Sequence, residues 1–359
     1  MCRAWWKIWL LAWRENSVRL MLFAFGVSLF AESRIETGEI NGAKFHIEIP
    51  ENWNRGLVMF CHGYAPRAAA VGHNKQIEPF LEQGYAVAQS GYSGGGWAVE
   101  EAIRDTEALR LYFVEQHGEP KQTFVSGMSM GGHLALAFIE KQPDVYSGAL
   151  PLCGEVAPAY TFLKQHVFDL LIQFGYYFPG VLPSPGKLPK TYQRSKAKTE
   201  EIMKALSLNP EAAKLLQQHA GVPDNATLAT VLEFFTEILT ELKSRSGGNA
   251  FDNRNTVYGN GDAKLNAGVE RLMASASANG YVRLHSNLSG RLTRPVVAIQ
   301  TTFDQLIPPW VTNYYSNLVE QNGATHLFVQ KLIEGKGHCN ISPSEIGKGF
   351  KELREFKSN

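Results

Sequence analysis

The 359-residue sequence has no excess of charge of either sign. Its 35 lysine and arginine residues are balanced by 34 aspartate and glutamate residues, and the formal net charge is +1. Proteins that bind nucleic acid through its phosphates usually carry a basic patch or stripe. Because the sequence shows no such stripe, we predict that nucleic acid is not a partner.

Cysteine is scarce as well, with Cys2, Cys61, Cys153 and Cys339 as the four examples. Their wide spacing is not that of a disulfide framework. One bridge is compatible with the sequence, but no pairing can be assigned. We therefore interpret these residues as small buried side chains near strand ends.

The sequence also lacks the common motifs for metals and phosphates. It contains no H-E-x-x-H motif and no paired cysteines with zinc spacing. It contains no G-x-x-x-x-G-K-[ST] phosphate loop either. We predict no metal and no organic cofactor.

One apolar run near the N-terminus could contact a membrane. Arg19 precedes an apolar stretch from Leu20 to Phe30, which small residues around Ala31 and Ser33 follow. That order is typical of a secretory signal peptide, and the run is shorter than the roughly 20 residues of a membrane span. We predict a signal peptide in residues 1–33 and a secreted or periplasmic protein. The alternative is an uncleaved N-terminal anchor, which would be the chain's one membrane contact.

The rest of the chain alternates between strand-like and helix-like segments. Buried apolar runs such as "GLVMFCHGY" and "QTFVSGM" alternate with helical patterns, which predicts an α/β fold with a mostly parallel sheet. Between residues 155 and 294 the pattern becomes helical, with breaks rich in proline and glycine. We therefore predict a core of residues 34–154 and 295–359, with residues 155–294 inserted as a helical cap.

The segment "GMSMG" places a serine between two glycines, after a strand and before a helix. A G-x-S-x-G turn in that context holds its serine at a sharp turn above the edge of the sheet. We predict that Ser129 is a nucleophile. The N–H of Met130, which follows it, can then stabilise an oxyanion, and the N–H of Tyr64, after the strand ending in "CHG", is the second predicted donor.

A serine hydroxyl needs a base, and the base needs an acid. His338 lies in a glycine-containing loop after the last strand pattern, and we predict that it is the base. Asp304 follows a buried strand and is the predicted acid. Glu155, which follows the strand "GALPLCG", is the alternative acid, because a carboxylate there could reach the same histidine.

These residues and motifs resemble those of the α/β-hydrolase family. The matching pieces are "CHGY", "GMSMGG", "TTFDQLIPP" and "GKGHCN", in the family's order. The resemblance implies an α/β-hydrolase fold with an eight-stranded, mostly parallel sheet and a catalytic triad of Ser129, His338 and Asp304. The chain also looks like secreted esterases of the feruloyl-esterase and prolyl-oligopeptidase-like branches. One departure is that Thr301 and Thr302 fill the stretch before the acid, where the family often has glycine, and this favours Glu155 slightly.

Several aromatic residues indicate the class of substrate. Tyr92 and Trp97 lie in a glycine-rich segment after a strand, and Phe303 precedes the predicted acid. We predict that these three residues line the substrate pocket, and that the protein is a serine esterase acting on small-molecule carboxylic esters with an apolar or aromatic part. The alternatives are a serine peptidase or aminopeptidase of the prolyl-oligopeptidase type and a non-catalytic binding protein with this fold.

Overall fold

The computed structural model describes residues 33–259, 262 and 264–356. The predicted signal peptide lies outside the described residues, apart from its last residue, Ser33. Within the described part of the chain, no helix combines the length and apolar character needed to cross a membrane.

An eight-stranded sheet forms the centre of the molecule. Its strands are β1 (Arg34–Ile40), β2 (Ala43–Ile49), β3 (Gly56–Cys61), β4 (Tyr85–Ser90), β5 (Gln122–Met128), β6 (Gly148–Leu152), β7 (Val296–Phe303) and β8 (Phe328–Lys336). Their order across the sheet is β1-β2-β4-β3-β5-β6-β7-β8. Strand β2 is antiparallel to both of its neighbours, and all other neighbouring pairs are parallel. The predicted fold class, with its eight-stranded, mostly parallel sheet, is confirmed.

Helices cover both faces of this sheet. Those outside the stretch between β6 and β7 are α1 (Glu78–Glu82), α2 (Val99–His117), α3 (Met130–Lys141), α11 (Trp310–Gln321) and α12 (Pro343–Arg354). Helices α1 and α12 cover one face, where Phe350 packs edge-on against Phe80, Tyr85 and Phe124. Helices α2 and α3 cover the other face, whose apolar cluster continues into the helices that follow β6.

The chain between β6 and β7 is helical. It contains α4 (Ala159–Phe162), a π-helical turn (Leu163–Phe168), α5 (Asp169–Tyr177), α6 (Lys196–Leu208), α7 (Pro210–Ala220), α8 (Asn225–Ser246), α9 (Leu265–Gly268) and α10 (Ala276–Ser286). The sequence sets where several of these helices start. Ser195, Asn209, Asp224 and Ser275 are N-caps whose side chains accept backbone hydrogen bonds from the first turns of α6, α7, α8 and α10.

One predicted helix is interrupted. The apolar spacing predicts a continuous helix over residues 267–284, but residues 269–275 lie between α9 and α10 and are not helical. Asn253 explains the break, because its side chain accepts from the N–H of Leu272 (2.7 Å) and donates to the carbonyl of Glu270 (2.8 Å). These bonds to a separate loop replace the hydrogen bonds of a helix.

Candidate active site

Ser129 sits on a sharp turn between β5 and α3. Its φ of 57° lies in the left-handed region, which residues with a β-carbon rarely adopt. The two flanking glycines are required by close backbone packing. A β-carbon on Gly131 would overlap the carbonyl oxygen of Cys61, and one on Gly127 would overlap the same oxygen and that of Gly131. The turn therefore presses β3, β5 and α3 together and lifts the serine above the sheet.

Three side chains from distant parts of the sequence meet at this turn. The Nε2 atom of His338 lies 2.9 Å from the Oγ atom of Ser129. The Nδ1 atom of the same ring lies 2.8 and 3.0 Å from the two carboxylate oxygens of Asp304. An acid, an imidazole and a hydroxyl are thus linked in a single hydrogen-bonded chain.

The sheet topology accounts for this meeting. Ser129, Asp304 and His338 come after the C-terminal ends of the parallel strands β5, β7 and β8, which open on the same edge of the sheet. Asp304 is 1% exposed, and one of its oxygens accepts hydrogen bonds from the N–H groups of Leu306 and Ile307, both at 2.9 Å. These bonds fix the carboxylate and stabilise its charged form in a buried position.

The two predicted oxyanion donors belong to chain segments that adjoin the serine. The chain after β3 passes directly beside the serine, because a β-carbon on Gly63 would lie 3.1 Å from the Ser129 β-carbon. Tyr64 follows this glycine, and Met130 is the first residue of α3. Among the backbone bonds of the described residues, neither of their N–H groups donates to another backbone carbonyl. Both groups are therefore open donors near the serine.

The alternative acid, Glu155, is placed elsewhere. It is fully buried, and its carboxylate lies 3.1 Å from Nδ1 of His133, on α3. Burial raises the pKa of this carboxyl group, and the neighbouring His133 partly offsets the rise. His338 already binds Asp304 through Nδ1, so the prediction that Glu155 could serve this histidine is contradicted by the geometry.

The prediction that Tyr92 and Trp97 line the substrate pocket is wrong. Tyr92 is 1% exposed, stacks on the His62 ring at 4.0 Å and donates its hydroxyl hydrogen to the His62 carbonyl at 3.3 Å. Trp97 is 4% exposed and donates its indole N–H to Oγ of Ser286 at 3.0 Å. Both rings are therefore buried beneath the site. Their burial could not be predicted, because they lie in a glycine-rich segment after a strand, which shows no periodic apolar pattern.

The third predicted pocket residue, Phe303, lies where β7 meets the loop that carries His338. It ends β7, and its carbonyl accepts from the N–H of Gly337 at 2.9 Å and from the hydroxyl of Thr301 at 3.1 Å. Its backbone therefore joins the end of β7 to the loop that carries His338. It lines neither of the two cavities described next.

Two cavities open beside Tyr64. The larger, of about 880 Å³, lies between the loop after β3, the start of α2 and one face of α8. The smaller, of about 590 Å³, is bounded by residues 62–65 and 69–74, and also by Met128 and Cys339. Tyr64 lines both cavities, and its ring packs edge-on against Phe234 of α8 at 5.5 Å. Met128, which precedes the serine in the chain, and Gly63, which packs against its β-carbon, both line the smaller cavity. The serine therefore lies beside the smaller cavity.

The interpretation of the cysteines as unbridged side chains is wrong for two of them. Cys153, directly after β6, forms a disulfide with Cys339, directly after His338. Cys61 is free and buried. The bridged residues are 186 positions apart, so their pairing becomes visible only once β6 and β8 are placed on either side of β7.

The sequence matches a known protein family over more than half of its length. A family model described as serine aminopeptidase, S33, matches residues 53–247, more than half of the chain. An o-phthalyl amidase from Xanthobacter agilis is 22% identical over 398 residues, covering 89% of this chain and 86% of the amidase.

Among solved structures, an esterase of Pyrococcus furiosus has a TM-score of 0.49 and 13% identity, covering 93% of this chain and 97% of the esterase. Est1E from Butyrivibrio proteoclasticus with bound ferulic acid has a TM-score of 0.49 and 12% identity, covering 89% and 98%. An acylaminoacyl peptidase of Pyrococcus horikoshii has a TM-score of 0.49 and 12% identity, and 90% of this chain matches 41% of that peptidase.

Proposed function

The chain belongs to the serine aminopeptidase family, S33, and from this premise we propose that it hydrolyses carboxylic esters through an acyl-enzyme formed on Ser129. The observation that carries the proposal is the chain of hydrogen bonds from Ser129 through His338 to Asp304, at 2.9 and 2.8 Å. Nucleophile, base and acid are within the reach that acyl transfer by a serine requires.

In the proposed acylation step, Oγ of Ser129 attacks the ester carbonyl while Nε2 of His338 takes its proton. Asp304 holds the Nδ1–H of the ring, which leaves Nε2 free as the acceptor, and its charge stabilises the imidazolium that forms. The N–H groups of Met130 and Tyr64 bind the oxyanion of the tetrahedral intermediate. The intermediate then expels the alcohol, which takes its proton from His338.

Deacylation repeats these roles with water. His338 removes a proton from a water molecule that attacks the acyl carbonyl, and the same amides bind the second oxyanion. The carboxylic acid leaves, and the proton on His338 returns to Ser129. No group outside the described site is needed to balance either half of the reaction.

The helical segment of residues 155–294 acts in this proposal as a cap over the site. Arg245, on α8, supports that role because it forms ion pairs with Glu101 of α2 and with Glu241 of its own helix. It also donates to the carbonyl of Gly95 at 2.6 Å. These bonds hold α8 against the core and close one side of the larger cavity.

The smaller cavity supports an apolar acyl group. Its wall includes Ala65, Ala69, Ala70 and Val71, and Met128 lies at the end nearest the serine. Small apolar side chains leave space and carry no charge, so an uncharged aliphatic or aromatic acyl group fits this part of the wall. The lining also includes polar side chains, namely His62, His73, Asn74, Gln76 and Gln89. With Tyr92 and Trp97 buried, the aromatic residue that supports an aromatic substrate is Tyr64, which lines both cavities and packs against Phe234.

Amide hydrolysis is the second candidate. The family is described as serine aminopeptidase, and the 22% identical relative is named an amidase. The same residues would serve, with His338 protonating the leaving amine. A matched pair of substrates, p-nitrophenyl butyrate and butyric p-nitroanilide, separates the two candidates. We expect a higher kcat/KM for the ester, beyond its faster spontaneous hydrolysis, and turnover of the anilide alone would contradict the ester proposal.

Export from the cytosol remains our proposal for localisation. A disulfide in the described chain supports it, because such bonds persist mainly in oxidising compartments. Mass spectrometry of the protein recovered from its natural host tests the proposal. We expect a new N-terminus near residue 33, and an intact Met1 would contradict cleavage.

A further inference from the structure

The disulfide joins the loop of the proposed base to the middle of the sheet. Cys339 directly follows His338, and its partner Cys153 directly follows β6. The backbone N–H of Cys153 donates to the carbonyl of Ile299, in β7, at 2.8 Å. One covalent bond thus connects the loop that carries the imidazole to the central strands of the sheet.

Apart from the disulfide and the hydrogen bonds of the His338 ring to Asp304 and Ser129, the loop has few anchors to the rest of the molecule. Residues 336–340 are half-buried or exposed. The N–H of Gly337 donates to the Phe303 carbonyl at 2.9 Å, and the next firmly buried side chain is Ile341. Both bridged cysteines have positive φ, 43° for Cys153 and 57° for Cys339. A residue with a β-carbon holds that conformation only where its surroundings impose it.

The sulfur of Cys339 also lies close to the reacting nitrogen. It is 3.5 Å from Nε2 of His338, the atom that faces Ser129 at 2.9 Å. In a disulfide this sulfur has no proton and is a weak acceptor. A free thiol at the same position could donate to Nε2, or form a thiolate paired with an imidazolium, and so compete with the serine for the base.

We propose that Cys153 and Cys339 are positioning residues for His338, and that the proposed hydrolase is active only while they are bridged. The bond fixes the loop and keeps a competing thiol away from the base. This inference rests on the proposed role of His338. Reduction by a dithiol adds two electrons and two protons to the bridge, giving two thiols, while the dithiol closes to a cyclic disulfide. Cys339 is half-buried and lines the smaller cavity, so a small dithiol can approach the bridge from that side.

The first test compares oxidised and dithiothreitol-reduced wild-type protein on p-nitrophenyl butyrate. We expect kcat to fall by about ten- to a hundredfold, the cost of displacing a catalytic group by roughly 1 Å. We expect KM to change less than about twofold, because the substrate cavities remain, and kcat to recover on reoxidation. The variant Cys61→Ala is the matched control, since it removes the free cysteine and should respond to the dithiol like the wild type.

The second test separates positioning from general stabilisation. Cys153→Ala and Cys339→Ala both lose the bridge, but only Cys153→Ala leaves a thiol beside His338. We expect the two variants to unfold at similar temperatures and to ignore the dithiol. Cys153→Ala should have the lower kcat of the two by several-fold, with a pH–rate profile that changes as the thiol titrates.

The possible results distinguish a failure of this inference from a failure of the proposed function. Full kcat in the reduced wild type or in both variants would overturn the inference while leaving the proposed hydrolase intact. Equal kcat in the two variants would remove the competing-thiol part. If the oxidised wild type turned over neither the ester nor the anilide, the proposed function would fail and the inference would fail with it.

Discussion

At the scale of single residues, the site depends on backbone segments that pack too closely for a β-carbon to be added between them. Gly131 is the sharpest case, because any β-carbon there would overlap the Cys61 carbonyl oxygen. The same contact brings the end of β3, and the chain that continues from it to Tyr64, next to Ser129. The backbone packing that forces glycine at this position is therefore the packing that assembles the proposed oxyanion site.

Replacement of Gly131 by alanine should destabilise the protein by several kcal/mol, because backbone atoms must shift to relieve the overlap. Gly175→Ala is the matched control, since a β-carbon there meets nothing within 4 Å and the residue lies within α5. The control should gain up to about 1 kcal/mol from helix propensity. Chemical denaturation of both variants checks this pair, and a Gly131→Ala protein as stable as the wild type would contradict the packing argument.

The identity of the acid is also a single-residue question. Asp304→Asn should lower kcat by about 10⁴-fold, because the amide no longer fixes the tautomer of His338 or stabilises its charge. Glu155→Gln should lower kcat far less, since its carboxylate contacts His133 and not His338. Steady-state kinetics of the two variants side by side decides the matter. A larger loss for Glu155→Gln would show that the acid is misassigned.

Sequence reasoning located these side chains better than it located their surroundings. Ser129, Asp304 and His338 could be found because each follows a strand pattern, and parallel strands end at one edge of a sheet. Tyr92 and Trp97 were misplaced because burial depends on how the helices pack above them. The bridge between Cys153 and Cys339 was missed because it depends on the order of strands in the sheet.

At the scale of secondary-structure elements, the helical region between β6 and β7 departs most from its sequence pattern. Residues 269–275 have helical spacing but are not helical, because Asn253, a side chain from another loop, binds their backbone. The edge strand β1 was also missed, since its residues are half-buried or exposed and show no apolar run. In the first case a side chain distant in sequence determines the structure, whereas β1 is held by pairing along its length with the adjacent strand β2.

The π-helical turn at Leu163–Phe168 carries a buried histidine whose titration should affect stability. His166 is 2% exposed and packs edge-on against Phe235 and Trp310. Burial, followed by the nearby His219, lowers its pKa from 6.5 to about 3. Below about pH 6.5 the unfolded chain therefore binds a proton at this histidine, whereas the folded protein does not bind it until the pH approaches 3. Stability is lost progressively as the pH falls from 6.5 toward 3.

The variant His166→Phe tests this directly. Between pH 7 and pH 4.5 the wild type should lose about 2 kcal/mol more unfolding free energy than the variant, which has no proton to bind at this position. Urea unfolding at the two pH values measures the difference. Equal losses in the two proteins would show that His166 accepts a proton within the fold.

At the scale of the whole molecule, the fold was predictable and the substrate was not. Alternating buried strands and helices specify the mostly parallel sheet, and its topology brings distant strand ends together. The cavities beside Tyr64, in contrast, depend on how α8 docks against the core through Arg245. No periodicity within one segment encodes such a contact between segments, so the shape of the pocket had to come from the structure.

The central claim is that Ser129, activated by His338, carries the acyl group. Covalent labelling with a fluorophosphonate followed by peptide mass spectrometry tests it most directly, because such reagents react much faster with an activated serine than with an ordinary one. We predict one adduct per chain, on the peptide containing Ser129, and no adduct in Ser129→Ala or in protein denatured before labelling. Labelling of a different residue, or none in active protein, would contradict the account.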